Sequence, residues 1–174
     1  MAGHSKWAQI KRQKGASDSK RAQLFSKLSR MISAQVKVAH GDRTAATVRT
    51  AIEKARAADM PMDTIERAIS KATEQKDLES ITYEAYGPAG VGIVIEALTD
   101  NRNKAAQEIR HILSKNGFAL AGIGSVVWAF QKQDGVLTPT TTIPLSDEDA
   151  SILEKLVDEL ENNDEVQEVI TNAE

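Results

Sequence analysis

Residues 91–113, VGIVIEALTDNRNKAAQEIRHIL, contain a transition from strand-forming to helix-forming sequence. Val91 to Leu98 is a β-branched run typical of a buried strand, and Thr99-Asp100-Asn101 can cap a following helix. The next apolar residues recur at helical spacing, and we expect them to be buried: Ala105, Ala106, Ile109, Ile112 and Leu113. Asn116-Gly117 predicts the end of this helix. A strand followed directly by a helix indicates a mixed α and β domain.

The sequence on either side extends this domain with short strands. Upstream, Thr82 to Tyr86 alternates between apolar and polar residues, and residues 87–90 form a turn. Downstream, Ser125 to Phe130 and Val136 to Leu145 are predicted strands that are joined by a turn at Gln133-Asp134-Gly135. We therefore expect a β-hairpin after the helix.

A second helix and a last strand complete the predicted domain. Ser146 is expected to cap the helix, and Val166 to Ile170 follows as a strand. The inner face of the helix is predicted to carry Ile152, Leu153, Leu156, Val157 and Leu160. The order from residue 91 is then βαββαβ, which implies an α+β sandwich with two helices on one side of an antiparallel sheet.

The first 76 residues have a different character. Residues 1–17 lack helical or strand periodicity and are interpreted as a basic arm. Helices are predicted from Ser19 to Ala39, from Thr44 to Ala58 and from Pro61 onward, with Asp42 or Thr44 as the cap of the second. The expected organisation is an arm (1–17), a helical domain (18–76), a linker (77–80) and an α+β domain (81–174).

The charge is distributed unevenly along the chain. Residues 1–76 contain 16 Lys and Arg against 7 Asp and Glu, whereas residues 77–174 contain 6 against 18, so the net charge of −3 describes neither part. One end is suited to meeting a polyanion, and the alternative is that the two parts of the chain pair with each other.

Between Lys6 and Arg30 the only acid is Asp18. Such a basic segment binds phosphates by releasing condensed counterions, and Trp7 within it can stack on an unpaired base. The alternative is a solvated tail with Trp7 packed against the helical domain. The nucleic-acid-binding residues that we predict are Lys6, Trp7, Lys11, Arg12, Lys14, Lys20, Arg21, Lys27 and Arg30.

A secondary contact site is predicted where the strand meets the helix. Arg102, Asn103 and Lys104 lie at a helix N-terminus, where backbone amides and cationic side chains can together receive an anion. Tyr83 and Tyr86 are expected on the adjoining surface, where they can contact nucleic acid or another partner. An ordinary capped junction with half-buried tyrosines explains the pattern equally well, and the sequence leaves both interpretations open.

The opening segment MAGHSKWAQIKRQKGASDSKRAQLFSKLSRMI closely resembles the N-terminal signature of the YebC/PmpR family. The resemblance continues through Tyr83 to Pro88, Leu98 to Asn103 and Gly124 to Val126, and it resumes from Leu156 to Asn172. It implies a non-enzymatic protein, either a DNA-binding transcriptional regulator or a ribosome-associated factor that eases translation of proline-rich stretches.

The resemblance also implies a fold. Members of the family have a helical N-terminal domain and a ferredoxin-like domain that is interrupted by a third, inserted domain. Only Val136 to Ile143 stands where that insertion would lie, so we expect the third domain to be absent. The predicted fold class is α plus α+β, with a three-helix domain followed by an uninterrupted ferredoxin-like βαββαβ sandwich.

Ribosomal RNA or the translating ribosome is the favoured partner on this resemblance. Sequence-specific DNA readers usually aim Arg, Asn or Gln from a recognition element into a groove, and we identify no such element. DNA-binding transcriptional regulation is the alternative. A second alternative is a scaffold that binds proteins through the sheet while the basic arm is merely solvated.

Several other classes are disfavoured. The chain has no cysteine, which excludes disulfides and thiolate zinc sites, and its three histidines are too scattered for a metal site. No apolar run reaches the roughly 18 residues that span a bilayer. We expect no catalytic residue, cofactor, small-molecule substrate or membrane contact, and we expect a cytoplasmic location.

Overall fold

The computed structural model describes residues 18–72, 74 and 76–174. These residues form two compact units, one ending at Glu79 and the other starting at Ser80. In the described residues, no helix is both long and apolar enough to cross a membrane.

The first unit contains three helices: α1 (Asp18–Val38), α2 (Ala46–Ala57) and α3 (Met62–Lys71). Helical spacing brings their apolar residues to a shared interior, where Ile32, Val48 and Ile65 are fully buried. The buried Ser33 hydroxyl donates to the Ala68 carbonyl at 2.9 Å, which joins α1 to the end of α3. The three helices were expected within about two residues of these bounds.

Two details of this unit differ from expectation. Neither Asp42 nor Thr44 caps α2, because Asp42 instead accepts the backbone N–H and the hydroxyl of Thr44, at 2.8 and 2.7 Å, in a turn that precedes the helix. Pro61 precedes α3 rather than starting it, and its carbonyl accepts the N–H groups of Thr64 and Ile65.

The second unit is built from five strands and two helices. In chain order they are β1 (Glu79–Tyr86), β2 (Gly92–Thr99), α4 (Arg102–Lys115), β3 (Phe130–Gln133), β4 (Val136–Pro139), α5 (Asp147–Glu161) and β5 (Val166–Thr171). The expected caps are present, since the side-chain oxygens of Asn101 and Ser146 accept the N–H groups of Lys104 and Asp149. Gly117 follows the end of α4 at a φ of 84°, a conformation that glycine adopts without steric cost.

The main sheet has the strand order β1-β2-β5, and β2 pairs with β5 in antiparallel register. Ile93 and Ile95 on one face of β2 pack with α4 and α5, whereas Val94 on the other face packs with Phe130 and Val126. Both faces of β2 are therefore covered, which explains why its sequence is almost continuously apolar.

Strands β3 and β4 form a separate two-stranded sheet. The expected hairpin turn is present, with Asp134 and Gly135 both at positive φ, but β4 ends at Pro139 rather than at Leu145. Proline lacks the N–H that would continue the ladder. The hairpin does not extend the main sheet because Phe130 and Leu137 pack over the face opposite to the helices.

The fold class is confirmed: a helical unit is followed by an α+β unit with two helices on one side of an antiparallel sheet. The predicted strand from Ser125 to Phe130 is wrong for most of its length, because Val127–Ala129 is a single 3₁₀ turn. Ile152 was expected in the interior and is exposed instead. It lies at the edge of the buried stripe of α5.

Candidate nucleic-acid interface

Helix α1 carries the described part of the predicted basic surface. Ile32 and Val36 fix one side of the helix in the core, and helical geometry then places Lys20, Lys27 and Arg30 on the other side, where all three are half-buried. Arg21 is exposed in the first turn of the helix. The remaining predicted contacts lie outside the described residues: Lys6, Trp7, Lys11, Arg12 and Lys14.

Lys37, on the same side of α1, has a structural partner. Its ammonium group lies 3.0 Å from the carboxylate of Asp77 in the segment that leads to β1. Because Asp77 is almost fully exposed, this ion pair contributes little stability.

Helix α2 carries further exposed basic residues that were not predicted as site residues. Val48, Ala51 and Ala55 bury one side of α2, and Arg49, Lys54 and Arg56 are exposed on the rest of its circumference. The same 3.6-residue period that predicted α1 contains this information, because the charged residues outside the apolar stripe of α2 are three basic residues and a single acid, Glu53.

The predicted secondary site is organised as a capped junction. The hydroxyl of Tyr83 donates to the Arg102 carbonyl at 3.5 Å, and Asn101 caps the helix through the Lys104 N–H. The Lys104 ammonium group lies 3.1 Å from the buried Glu165 carboxylate, whose hydrogen bond and charge raise the pKa of Lys104. Lys104 thus stabilises an internal anion, while Arg102 and Asn103 are exposed.

Tyr86 does not join this junction. Residues three apart in a strand point to opposite faces, so Tyr83 packs against the core on the helix side and Tyr86 lies on the other face. There the Tyr86 hydroxyl donates to the carbonyl of Ser125 at 2.6 Å. The five residues expected on one surface therefore occupy two.

A buried carboxylate organises the surface around Tyr86. Glu84, only 6% exposed, accepts backbone N–H groups from Gly124 and Val126 at 2.7 Å and from Val127 at 2.9 Å. Burial by itself would raise the pKa of Glu84, but the three donors together hold it below the usual value. No pattern in the sequence predicts this role, because a glutamate in an alternating strand is expected to face solvent.

Two aromatic side chains donate to the same backbone carbonyl in the loop that this carboxylate holds. The Trp128 indole N–H donates to the Ser125 carbonyl at 2.7 Å, and this carbonyl also accepts the Tyr86 hydroxyl. Trp128 nevertheless remains 69% exposed. Neither Trp128 nor Ser125 was predicted as a site residue.

No cluster of three or more His, Asp or Glu side chains suited to a metal ion occurs in the part of the chain that the structure describes. His40 and His111 are both exposed and lie in different units. The arrangement that the structure does offer consists of basic helical faces in one unit and an aromatic surface in the other.

Comparisons with known proteins cover nearly all of this chain. The model of the TACO1/YebC protein N-terminal domain matches residues 5–75, and the model of the TACO1/YebC second and third domain matches residues 78–138 and 133–173. The two segments of the second match overlap in the β3–β4 hairpin, where the family's insertion was expected to be missing.

Curated relatives and a solved structure agree with this match. A "Probable transcriptional regulatory protein" of Chlorobaculum tepidum is 46% identical over 169 residues, covering 95% of this chain and 67% of the relative. Another of the same name from Petrotoga mobilis is 45% identical over 179 residues, covering 100% of this chain and 71% of the relative.

The crystal structure of a conserved hypothetical protein from Aquifex aeolicus aligns with a TM-score of 0.82 at 30% identity, covering 98% of this chain and 97% of that chain. The helices and strands of each unit are thus matched in a solved protein. The chain belongs to the TACO1/YebC family, in a form shorter than these two curated relatives.

Proposed function

We propose that this protein is a non-enzymatic regulator of gene expression that binds nucleic acid through its basic N-terminal arm and α1. The concentration of positive charge carries the proposal: residues 1–30 contain eight Lys and Arg and a single acid, Asp18. The names of the relatives from Chlorobaculum tepidum and Petrotoga mobilis support a regulatory role. No catalytic residue, cofactor or small-molecule substrate is part of the proposal.

Binding would depend mainly on phosphate contacts. The side of α1 that bears Lys20, Lys27 and Arg30 offers cations at fixed spacing, and the arm adds Lys11, Arg12 and Lys14. Each neutralised phosphate releases counterions, which makes affinity fall as salt concentration rises. The three cations of α1 would position the phosphate chain, and Trp7 would stack on an unpaired base.

Ribosomal RNA in the cytoplasm, reached on the translating ribosome, is the target that we favour. No recognition element that aims Arg, Asn or Gln into a DNA groove was identified, and Trp7 suits the unpaired bases of RNA loops. DNA-binding transcriptional regulation is the second candidate, and the names of the curated relatives favour it.

A charge-removal experiment tests nucleic-acid binding. The variant Lys11→Ala, Arg12→Ala, Lys14→Ala is compared with a control that removes the same charge from exposed positions of the other unit, Arg110→Ala, Lys132→Ala, Lys155→Ala. If the arm makes three phosphate contacts, the slope of log affinity against log salt becomes shallower by about 2 for single-stranded RNA. The control should keep the parent slope.

An unchanged slope and affinity in the arm variant would contradict the proposal and favour the protein-binding scaffold. Ribosome cosedimentation and promoter footprinting in the same cells then separate the two nucleic-acid targets. We expect cosedimentation that the arm variant loses, whereas promoter protection without cosedimentation would favour the DNA-binding regulator.

A further inference from the structure

The loop before the β3–β4 hairpin exposes an unusual amount of apolar surface. Of the nine large hydrophobic side chains that are exposed in the described part of the chain, three lie in this loop, and a fourth, Tyr86 at the end of β1, is hydrogen-bonded to it. Ile123 is 101% exposed and Trp128 is 69% exposed, and they are joined by Tyr86 and Val127. We call the four residues Tyr86, Ile123, Val127 and Trp128 the aromatic surface.

This surface is held in place by hydrogen bonds. The Ser125 carbonyl accepts from both Tyr86 and Trp128, and Glu84 fixes the backbone of the loop through three N–H groups. The polar edges of both rings are therefore already bonded within the protein. Such an ordered apolar surface loses little conformational entropy when a partner covers it.

The charges of the unit decide what kind of partner fits. Residues 80–174 contain 6 Lys and Arg against 16 Asp and Glu, and residues 121–129 contain no charged side chain. Two of the six cations, Lys104 and Lys115, lie 3.1 Å from carboxylates of the same unit. A phosphate backbone would be repelled by this excess of negative charge.

A cationic partner would instead be attracted. Exposed faces of Trp and Tyr bind Lys or Arg side chains through cation–π contacts, and the Glu84 carboxylate directly beneath the loop adds negative potential. Ile123 and Val127 beside the rings add apolar contact area.

We propose that the aromatic surface is a docking site for a protein segment that presents Lys or Arg next to apolar side chains. It does not depend on nucleic-acid binding by the arm, and it assigns a second, separate interaction to the α+β unit. The docked cation lies over the Trp128 ring, and the apolar side chains of the partner cover Ile123.

Selection from a random peptide display library on the full chain tests this proposal. We expect the enriched peptides to combine Lys or Arg with apolar residues. Their affinity should fall by about tenfold or more for Trp128→Ala and for Ile123→Ser, because central apolar and aromatic anchors dominate such interfaces. Val38→Ser, a substitution at another exposed apolar position, should bind as the parent does.

Ile123→Ser keeps the test valid if Trp128→Ala disturbs the loop, because the fully exposed Ile123 side chain is not needed for folding. Enrichment of acidic peptides, or binding to both variants as tight as binding to the parent, would overturn the proposal. A Trp7→Phe background leaves Trp128 as the only tryptophan, so its fluorescence reports binding at this surface. In that background, binding of oligouridine is compared with binding of the selected peptides. Saturable quenching by oligouridine that exceeds quenching by the selected peptides would assign the surface to nucleic acid. Self-association that Ile123→Ser abolishes would assign it to a second copy.

Discussion

Replacing Glu84 with glutamine tests how the loop of the α+β unit is held. The substitution preserves the size of the side chain but replaces one carboxylate oxygen with an NH₂ group. In the parent, one oxygen accepts from Gly124 and the other accepts from Val126 and Val127. The best orientation of the amide therefore keeps the bonds to Val126 and Val127 and leaves the Gly124 N–H facing another donor.

The expected loss follows from these contacts. A hydrogen bond to a charged group contributes about 1.5–3 kcal/mol, and an unsatisfied buried donor costs about 1–3 kcal/mol. Gly124 is partly accessible to water, so water can partly satisfy its N–H and the loss should stay below the sum of these two upper limits. We therefore expect Glu84→Gln to lower the free energy of unfolding by about 2–4 kcal/mol at neutral pH. The exposed control Glu148→Gln should change it by less than about 0.5 kcal/mol.

The pH dependence has a defined sign. Because folding lowers the pKa of Glu84, its stabilisation is present above the unfolded-state pKa of about 4.3 and is lost as pH falls through the folded-state value. The difference between parent and Glu84→Gln should therefore shrink in acid, where Glu84 becomes neutral. Urea unfolding followed by Trp128 fluorescence in the Trp7→Phe background measures both effects. If the unfolding free energy of Glu84→Gln lies within about 0.5 kcal/mol of the parent value at neutral pH, the carboxylate does not stabilise the loop as described.

Two further substitutions test the packing of β2. A Cβ atom at Gly92 would lie 2.6 Å from a methyl carbon of the buried Val126, so Gly92→Ala should lower the free energy of unfolding by about 1–3 kcal/mol in the same urea assay. Val126→Ala in that background should recover part of the loss, and equal or greater destabilisation would show that the clash is not the cause. Glu96 and Glu168 are paired directly across β2 and β5, so Glu168→Lys should raise the free energy of unfolding by about 0.2–1 kcal/mol. High salt should reduce this gain, and a salt-independent effect would contradict an electrostatic origin.

Local sequence was sufficient for most helices and their ends. Asn101 and Ser146 cap the helices that they were expected to cap, and Gly117 ends α4 at positive φ. These features depend on residues within a few positions of one another, and the period of the apolar residues identifies the buried side of each helix. The predicted basic side of α1 follows from the same period.

The pattern of β2 was informative but incomplete. Its continuous apolar run from Val91 to Leu98 predicted a buried strand, yet nothing in that run specifies what covers its second face. In the structure the β3–β4 hairpin packs there as a separate sheet, with Phe130 against Val94. Strand association depends on contacts between distant residues, and several associations can bury the same side chains.

The sequence alone was enough to predict the helices, the order of a three-helix domain followed by an α+β domain, the family and the charge asymmetry. Each of these features is encoded in neighbouring residues or in a matched motif. Only the tertiary structure decided that Tyr83 and Tyr86 lie on opposite faces and that residues 125–129 form a turn instead of a strand. Glu84 lies 40 positions before Gly124, and its carboxylate takes the N–H groups that a strand would need for pairing. A contact across that distance exists only once the chain has folded, so local propensity could not reveal the aromatic surface.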